Sequence, residues 1–268
     1  MKKNKLSVVI IARNEEKIIA WCLDAVSWAH EVIVVDSGSY DNTVKICRKY
    51  NAKVFYKKWQ GYSAQKNFAL SKAKGNWILS IDADEIVSGE LRDEIKKVLE
   101  NDTGEYDGYE MKFKNYFYGR FLRFGGMYPD YHLRLFRKGK GNFNKTEIHE
   151  GVWLKGKKAR LNGAIIHFTS RKISDHIENI NKYTELEAKQ NIMVSKIPTG
   201  YSIFLKPFYN FIKNYFFKFG FLDGFHGLVF HVVSSMYVFI KEIKTAEKMG
   251  MLDSNFIGSI FRRSKSGK

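Results

Sequence analysis

Two carboxylates that follow an apolar run, Asp82 and Asp84, are the residues in this chain best placed by type and spacing to do chemistry. The run 77–81 ends abruptly in these acids, as an interior strand does where an α/β sheet binds its ligand. Residues two apart on a strand share a face, so the two carboxylates are predicted to converge. Hard oxygen donors suit Mg²⁺ or Mn²⁺, which also takes substrate phosphate as a ligand. The alternative is a plain acidic loop that caps a helix beginning near Ser88.

The segments before this motif alternate between β-branched runs and helical periodicity. Such alternation predicts βαβ units, and hence an α/β fold with a mostly parallel, Rossmann-like sheet flanked by helices. The predicted strands are 6–12, 32–35, 53–55 and 77–81. The polar residues that follow three of these strands are therefore expected to gather at one edge of the sheet. No Gly-rich dinucleotide motif and no P-loop accompanies them, so acidic groups would supply much of the ligand contact.

Three segments in order, LSVVIIARNEE, EVIVVDSGSYDNT and GYSAQKNFALSKAKGNWILSIDADE, resemble family 2 glycosyltransferases with the GT-A fold. In particular, they resemble the subgroup that adds sugars to lipopolysaccharide core or related envelope glycans. The resemblance covers Leu6 to about Ala188. It implies a nucleotide-sugar donor, with a UDP-sugar preferred, Mg²⁺ or Mn²⁺ as cofactor, and inversion at the anomeric carbon.

The resemblance also implies roles for individual residues at the strand ends. Asp82 is expected to contact both the ribose and the metal, and Asp84 to be the principal metal ligand. Contacts with uracil, ribose and the rest of the nucleotide-sugar are implied for Ala12, Arg13, Glu15, Asp36 and Lys66. For Asp36 the alternative is a plain turn residue, and for Lys66 a solvated surface lysine.

An inverting transfer needs one general base within hydrogen-bond reach of the acceptor hydroxyl. Asp130 is the preferred candidate, because 129–136 resembles the family motif in which an acid precedes a short helix carrying an Arg. Pro129 stands where many relatives have a second acid, so the match is partial. Arg134 would orient Asp130 through a salt bridge or contact the diphosphate. The competing base is Glu150, and the adjacent His149 would then be a metal ligand or a diphosphate contact.

The chain of 268 residues carries 45 Lys and Arg against 28 Asp and Glu, a formal net charge of +17. Such a charge attracts anions, whether phosphorylated substrates, anionic lipid or nucleic acid. No helix-turn-helix, RRM or zinc signature supports nucleic acid as a partner. A sugar nucleotidyltransferase is the other alternative, but its expected Gly-rich loop after the first strand is missing. Cys22 and Cys47 lack disulfide or metal spacing, which favours a reduced, cytoplasmic setting.

The C-terminal part changes composition after Pro198 and Pro207. Aromatic residues recur between lysines over 201–243, a pattern typical of a helix lying in a membrane interface. The run 227–240 is apolar but shorter than a membrane span, and no secretory signal is predicted. With the basic stretch 262–265, this pattern predicts peripheral binding to the anionic inner face of the cytoplasmic membrane. The alternatives are a buried helical hairpin and a dimer contact.

These observations predict a two-part chain. Residues 1–195 would form the GT-A catalytic domain, with a nucleotide-sugar-binding half at 1–105 and an acceptor-binding half at 106–195. Residues 196–268 would form an amphipathic helical extension that associates with the membrane. The predicted activity is metal-dependent transfer of a sugar to lipopolysaccharide core or to a lipid-linked glycan. His167 lies in an apolar run and is interpreted first as a satisfied core histidine.

Overall fold

The computed structural model describes residues 4–143, 151–170 and 172–252. Two compact units make up the fold, one formed by 1–116 and 128–169 and the other by 117–127 and 170–268. This division differs from the predicted boundary at residue 195. The helix before that residue and one internal loop both group with the C-terminal segment.

Alternating strands and helices open the chain, as the apolar runs predict. The described strands are β1 (Leu6–Ala12), β2 (Glu31–Asp36), β3 (Lys53–Tyr56), β4 (Trp77–Asp82), β5 (Glu85–Val87), β6 (Gly108–Phe117), β7 (Arg120–Phe121), β8 (Asp130–Arg137), β9 (Gly141–Phe143), β10 (Val152–Leu154) and β11 (Lys158–Ser170). The helices of the first unit are α1 (Ile19–Ala25), α2 (Thr43–Lys49), α3 (Tyr62–Lys72) and α4 (Gly89–Glu100). β7 lies in the loop that groups with the second unit.

The main sheet of the first unit has the strand order β3-β2-β1-β4-β8-β6-β11-β5. β3, β2, β1 and β4 are parallel, whereas β8 runs antiparallel to both β4 and β6, and β5 runs antiparallel to β11. The sheet is therefore mixed, and the predicted parallel pairing holds for its N-terminal half. Parallel neighbours need long crossovers, usually helical, and the described chain has no α-helix between β6 and β8 to supply one.

The parallel strands form the centre of the core. Val8, Ile10, Val34 and Leu79 are all fully buried. Strands covered on both faces read as continuous apolar runs rather than alternating ones, which is why the sequence marks them so clearly. Glu31, at the start of β2, is an exception, because its carboxylate is buried among these strands.

The Glu31 carboxylate is held by three hydrogen bonds. It accepts from the Ser7 hydroxyl, the Lys53 ammonium group and the Lys74 backbone N–H, each at 2.6 Å. Burial alone raises the pKa of Glu31, but the hydrogen bonds from Lys53 and Ser7 outweigh burial and hold that pKa at about 2. A carboxylate whose pKa is lowered by folding stabilises the folded state at pH values above its ordinary pKa of 4.5. That contribution to stability disappears as the pH falls towards 2.

We therefore expect Glu31→Gln to lower the free energy of unfolding at pH 7 by about 2 kcal/mol, since hydrogen bonds to charged groups contribute most there. The difference from the wild type should narrow between pH 4.5 and pH 2, because in this range the unfolded wild-type chain binds a proton on Glu31 that the folded protein does not. Urea unfolding at pH 7 and pH 3 measures both effects. Glu100→Gln, on an exposed helix end, is the control. A difference that stays constant with pH would contradict the assignment.

Apart from β7, the second unit is helical in its described part. Its elements are α5 (Ile173–Met193), π-helical turns at Tyr201–Leu205 and Lys213–Phe217, α6 (Lys206–Ile212), a 3₁₀ turn at Gly220–Asp223 and α7 (Gly224–Lys248). Polar contacts join α5 to α7: the Tyr237 hydroxyl donates to Glu187 at 2.6 Å, and Lys241 pairs with the same carboxylate at 3.0 Å. α5 therefore packs with the C-terminal helix, which explains its place in this unit.

One described helical segment, Gly220–Lys248, is long and apolar enough by length and composition to cross a membrane. This helical segment is longer than the apolar run in the sequence, which was expected to be too short to span a membrane. The sequence run was judged over 227–240, whereas the helical segment extends beyond it at both ends. Length and composition alone do not distinguish a span from the core helix of a soluble protein.

The loop 117–127 is fixed to the second unit by Asp223. This buried carboxylate accepts hydrogen bonds from the backbone N–H groups of Arg123, at 3.0 Å, and Phe124, at 2.9 Å. Phe117 and Leu122 pack with Phe230 in one apolar cluster. The sequence gives no sign of this arrangement, because Asp223 is about 100 residues away from the amides that it binds.

Candidate functional site

The parallel register brings the predicted strand ends to one edge of the sheet. Ala12 pairs with Asp36 across β1 and β2, and Ile11 pairs with Asp82 across β1 and β4. The residues that follow these three strands therefore leave the sheet side by side. This edge holds the side chains described below.

Asp82, at the end of β4, lies between two cations. Its carboxylate is 2.9 Å from the Lys66 ammonium group on α3 and 3.5 Å from the Arg134 guanidinium on β8. Burial raises the pKa of Asp82, but the charges of Lys66 and Arg134 outweigh burial and hold it far below its ordinary value. Lys66 is itself only 5% exposed, so it is not a solvated surface lysine.

Glu85 is the buried acid that holds this arrangement together. Its carboxylate accepts from the Arg134 guanidinium at 2.6 Å and from the Asp82 backbone N–H at 3.0 Å. Burial raises the pKa of Glu85, and the opposing charge of Arg134 only partly offsets this. Sequence reasoning assigned no role to Glu85, although it completes the acidic run after β4.

Asp84 points to a different partner. One carboxylate oxygen, Oδ2, lies 3.5 Å from Nε2 of His167 on β11. Burial lowers the pKa of His167, but the hydrogen bond and charge of Asp84 more than offset this and raise it. The interpretation of His167 as a simple core histidine is therefore incomplete. Only the antiparallel position of β11 brings it to this edge, and no local sequence signal shows that.

Asp130 begins β8, and its side chain is 40% exposed. Its Oδ2 lies 2.9 Å from His132 Nε2 and 3.4 Å from Asn115 Nδ2. Burial raises the pKa of Asp130, but the hydrogen bond with His132 outweighs burial and lowers it. The carboxylate is therefore ionised and accessible, as a general base must be.

The predicted relation between Asp130 and Arg134 is wrong. The acid begins a strand rather than preceding a short helix, and Arg134 pairs with Glu85 and Asp82. Four residues along a strand separate two Cα atoms by about 13 Å, whereas one helical turn would bring them close enough for a salt bridge.

At the ends of β1 and β2, the predicted nucleotide contacts have local roles. The Asp36 carboxylate is buried and accepts from the backbone N–H groups of Gly38 at 2.8 Å and Ser39 at 3.0 Å, which are the contacts of a turn residue. The Glu15 backbone N–H donates to the Thr43 hydroxyl at 2.7 Å. Arg13 is exposed and Ala12 is buried. Their contacts with a nucleotide-sugar stay predictions.

Within residues 4–143, 151–170 and 172–252, no three His, Cys, Asp or Glu side chains are grouped closely enough to hold a metal ion. His149, a predicted ligand, and Glu150, the alternative base, lie outside the described residues. Mg²⁺ is usually held by one or two carboxylates together with phosphate and water. Adjacent octahedral ligands at 2.0–2.1 Å are about 3 Å apart, so the 3.5 Å pair of Asp84 and His167 fits two such ligands.

Two solved structures resemble this chain in part. The crystal structure of Staphylococcus aureus TarS 1-349 is 16% identical, with a TM-score of 0.46 and 92% of each chain covered. Glucosyl-3-phosphoglycerate synthase from Mycobacterium tuberculosis is 24% identical, with a TM-score of 0.36, covering 41% of this chain and 44% of that chain.

The family model for glycosyl transferase family 2 matches residues 7–152. The lipopolysaccharide core biosynthesis glycosyltransferase LpsC of Rhizobium meliloti is 29% identical over 92% of this chain and 93% of its own length. An uncharacterized glycosyltransferase of Rickettsia bellii is 33% identical over 91% of this chain and 86% of its own. The match to these relatives thus extends over nearly the whole chain.

Proposed function

We propose, from the premise that this chain belongs to glycosyl transferase family 2, that it moves a sugar from a UDP-sugar to a lipopolysaccharide-core or lipid-linked glycan acceptor. The protein is a glycosyltransferase with the GT-A fold of that family. One observation carries the proposal: ionised Asp82 lies between Lys66 and Arg134 at the sheet edge where Asp84 meets His167.

The departing nucleoside diphosphate is the group that most needs stabilisation. Lys66 and Arg134 supply two positive charges at this edge, and both are held in place by buried contacts. Asp82 is an acceptor for ribose hydroxyl groups. Asp84 and His167 would hold Mg²⁺ or Mn²⁺, which neutralises charge on the diphosphate when it is bound. Charge stabilisation of this kind replaces protonation of the leaving group.

Asp130 is the proposed general base. Among the described residues, its two side-chain contacts converge on Oδ2, which leaves Oδ1 for the acceptor hydroxyl. As the acceptor oxygen forms its bond to the anomeric carbon, its proton passes to Asp130 and the bond to the diphosphate breaks. A single displacement of this type inverts the anomeric centre.

A thermal-shift experiment tests the donor site. We expect UDP with MnCl₂ to raise the melting temperature by about 5–10 °C at 100 times its dissociation constant, since such binding stabilises the native state by about 2.7 kcal/mol. Asp84→Asn should abolish most of this shift without unfolding the protein, because the side chain is partly exposed and lies at the strand end. ADP and CDP with MnCl₂ serve as matched ligands.

Asp93→Asn, an exposed acid on α4, is the control and should keep the full shift. If Asp84→Asn retained the manganese-dependent shift, the proposed metal site would be wrong. Equal shifts with every nucleotide would contradict the preference for UDP. Release of UDP from UDP-glucose and other UDP-sugars, with and without core lipopolysaccharide, then identifies the reacting pair.

The second unit supports action at the cytoplasmic face of the membrane. Phe204, Phe208, Phe217 and Phe225 are each at least 65% exposed, an unusual apolar surface for a soluble protein. Between residues 195 and 241 the single acid is Asp223, which is buried, while five lysines occur in the same range. An exposed aromatic surface with lysines between its rings matches an anionic bilayer interface.

We expect the protein to sediment with vesicles containing 30% phosphatidylglycerol and much less with neutral phosphatidylcholine vesicles. Replacing Phe208, Phe217 and Phe225 with serine should weaken binding by about 100-fold or more, since each partly buried ring contributes on the order of 1 kcal/mol or more. Trp21→Ser with Tyr56→Ser, which removes exposed aromatics of the first unit, should have little effect. Unchanged vesicle binding by the triple variant, or self-association in its place, would contradict membrane docking.

A further inference from the structure

Asn115 lies on β6, between the strand that carries Asp130 and the strand that carries His167. Its side chain is largely buried, at 9% exposure for the residue. Nδ2 of the amide lies 3.4 Å from Asp130 Oδ2, and Oδ1 lies 3.0 Å from His167 Nδ1. One amide therefore contacts both the proposed base and the histidine beside Asp84.

The orientation of this amide follows from its neighbours. An ionised carboxylate only accepts hydrogen bonds, so the NH₂ group of Asn115 must face Asp130. The carbonyl oxygen then faces His167. The reverse orientation would set the carbonyl against a carboxylate, with two acceptors opposed.

The orientation of the amide in turn orients the ring of His167. A carbonyl oxygen only accepts, so the hydrogen bond to Asn115 places the ring hydrogen on Nδ1. The Thr169 hydroxyl, 3.2 Å from the same nitrogen, is able to accept as well. Nε2, the other ring nitrogen, therefore faces Asp84.

We propose that Asn115 is a positioning residue for glycosyl transfer, orienting the Asp130 carboxylate and the His167 ring with a single amide. On the acceptor side, it joins His132 in holding Oδ2 of Asp130, so that Oδ1 faces the acceptor. On the donor side, its carbonyl oxygen holds Nδ1 of His167, so that Nε2 faces Asp84. This inference rests on the proposed function, because it gives Asn115 its role through Asp130 and His167.

Two substitutions separate the halves of this role. Asn115→Leu removes both hydrogen bonds at similar volume, whereas Asn115→Asp keeps an acceptor for His167 but opposes one carboxylate to another. We expect both variants to lower kcat by about 10- to 100-fold, as loss of partners that orient site residues does. The donor KM should change by less than about twofold in Asn115→Asp, which keeps the acceptor for His167. Long-range ¹H–¹⁵N spectra of the imidazole should show a hydrogen-bonded Nδ1–H in the wild type and in Asn115→Asp, and lose that signal in Asn115→Leu.

Asn4→Leu is the matched control. Asn4 also uses its side-chain amide, donating to the Leu99 carbonyl at 3.0 Å, and it precedes β1 at the opposite edge of the sheet. Loss of the Asn4 amide should lower the melting temperature and leave kcat and the His167 spectrum unchanged.

Each outcome of the experiment bears on one claim. A folded Asn115→Leu protein with wild-type kcat and an unchanged Nδ1–H signal of His167 would overturn the role of Asn115. If Asn115→Leu does not fold, the test rests on Asn115→Asp. A wild-type kcat in Asn115→Asp would equally overturn the role of Asn115. A wild type that transfers no sugar from any UDP-sugar tested would count against the proposed function itself. A wild type that transfers, beside variants that do not respond, counts against the role of Asn115 alone.

Discussion

Asp130→Asn is expected to lower kcat for sugar transfer by about 10²- to 10⁴-fold, the range that a general base contributes. Asparagine has the same size as aspartate and keeps an oxygen near His132, but it cannot take the proton of the acceptor hydroxyl. The experiment is steady-state transfer with the donor and acceptor identified by UDP release. The melting temperature should change little, because the replaced side chain is 40% exposed.

Donor binding provides the internal control for this variant. Asp130→Asn should keep the manganese-dependent thermal shift with UDP, since Asp84, His167 and Lys66 are unchanged. Asp93→Asn should keep both the shift and kcat. Wild-type turnover by Asp130→Asn would remove Asp130 as the base and leave Glu150, the other predicted acid, as the candidate.

The second large effect concerns stability. Arg134→Met should lower the free energy of unfolding by about 3–5 kcal/mol, because it leaves a buried carboxylate without its cation. Glu85 is fully buried and loses its 2.6 Å partner, while Asp82 keeps its pair with Lys66. Urea unfolding measures the change as a lower midpoint at constant slope.

A double variant separates loss of the ion pair from general damage to packing. Adding Glu85→Leu to Arg134→Met removes the unpaired charge, so it should restore part of the lost stability. Arg92→Met, which breaks an exposed pair with Asp93, should change the free energy of unfolding by less than about 1 kcal/mol. A loss below about 1 kcal/mol in Arg134→Met, or a double variant less stable than the single one, would contradict this account of the pair.

The N-terminal half of the fold could be predicted from the sequence for a clear physical reason. Strands β1, β2 and β4 are buried on both faces, so they appear as uninterrupted apolar runs, and the helices between them impose parallel pairing. The second half lacks that signal. β8 was predicted as an acid followed by a short helix, because eight residues of mixed polarity do not distinguish a strand from a helix.

The candidate site was predictable only where its residues are neighbours in sequence. Asp82 and Asp84 are recognisable from their position after a buried run. Their partners depend on strand register: His167 and Arg134 come from later antiparallel strands, and the link through Asn115 needs β6 to lie between β8 and β11. Glu85 differs, because it is adjacent in sequence but gains its role only from burial and from Arg134.

The hydrogen bonds between Asp223 and the loop 117–127 have a practical consequence for cutting this protein into fragments. The chain leaves the first unit after Tyr116 and returns at Tyr128. The loop between them is bound by Asp223, from much later in the chain. No single cut therefore separates the two units. A fragment ending at residue 195 would retain Phe117 and Leu122 while losing Phe230, their packing partner. An exchange of the C-terminal helices between relatives must therefore include the loop 117–127.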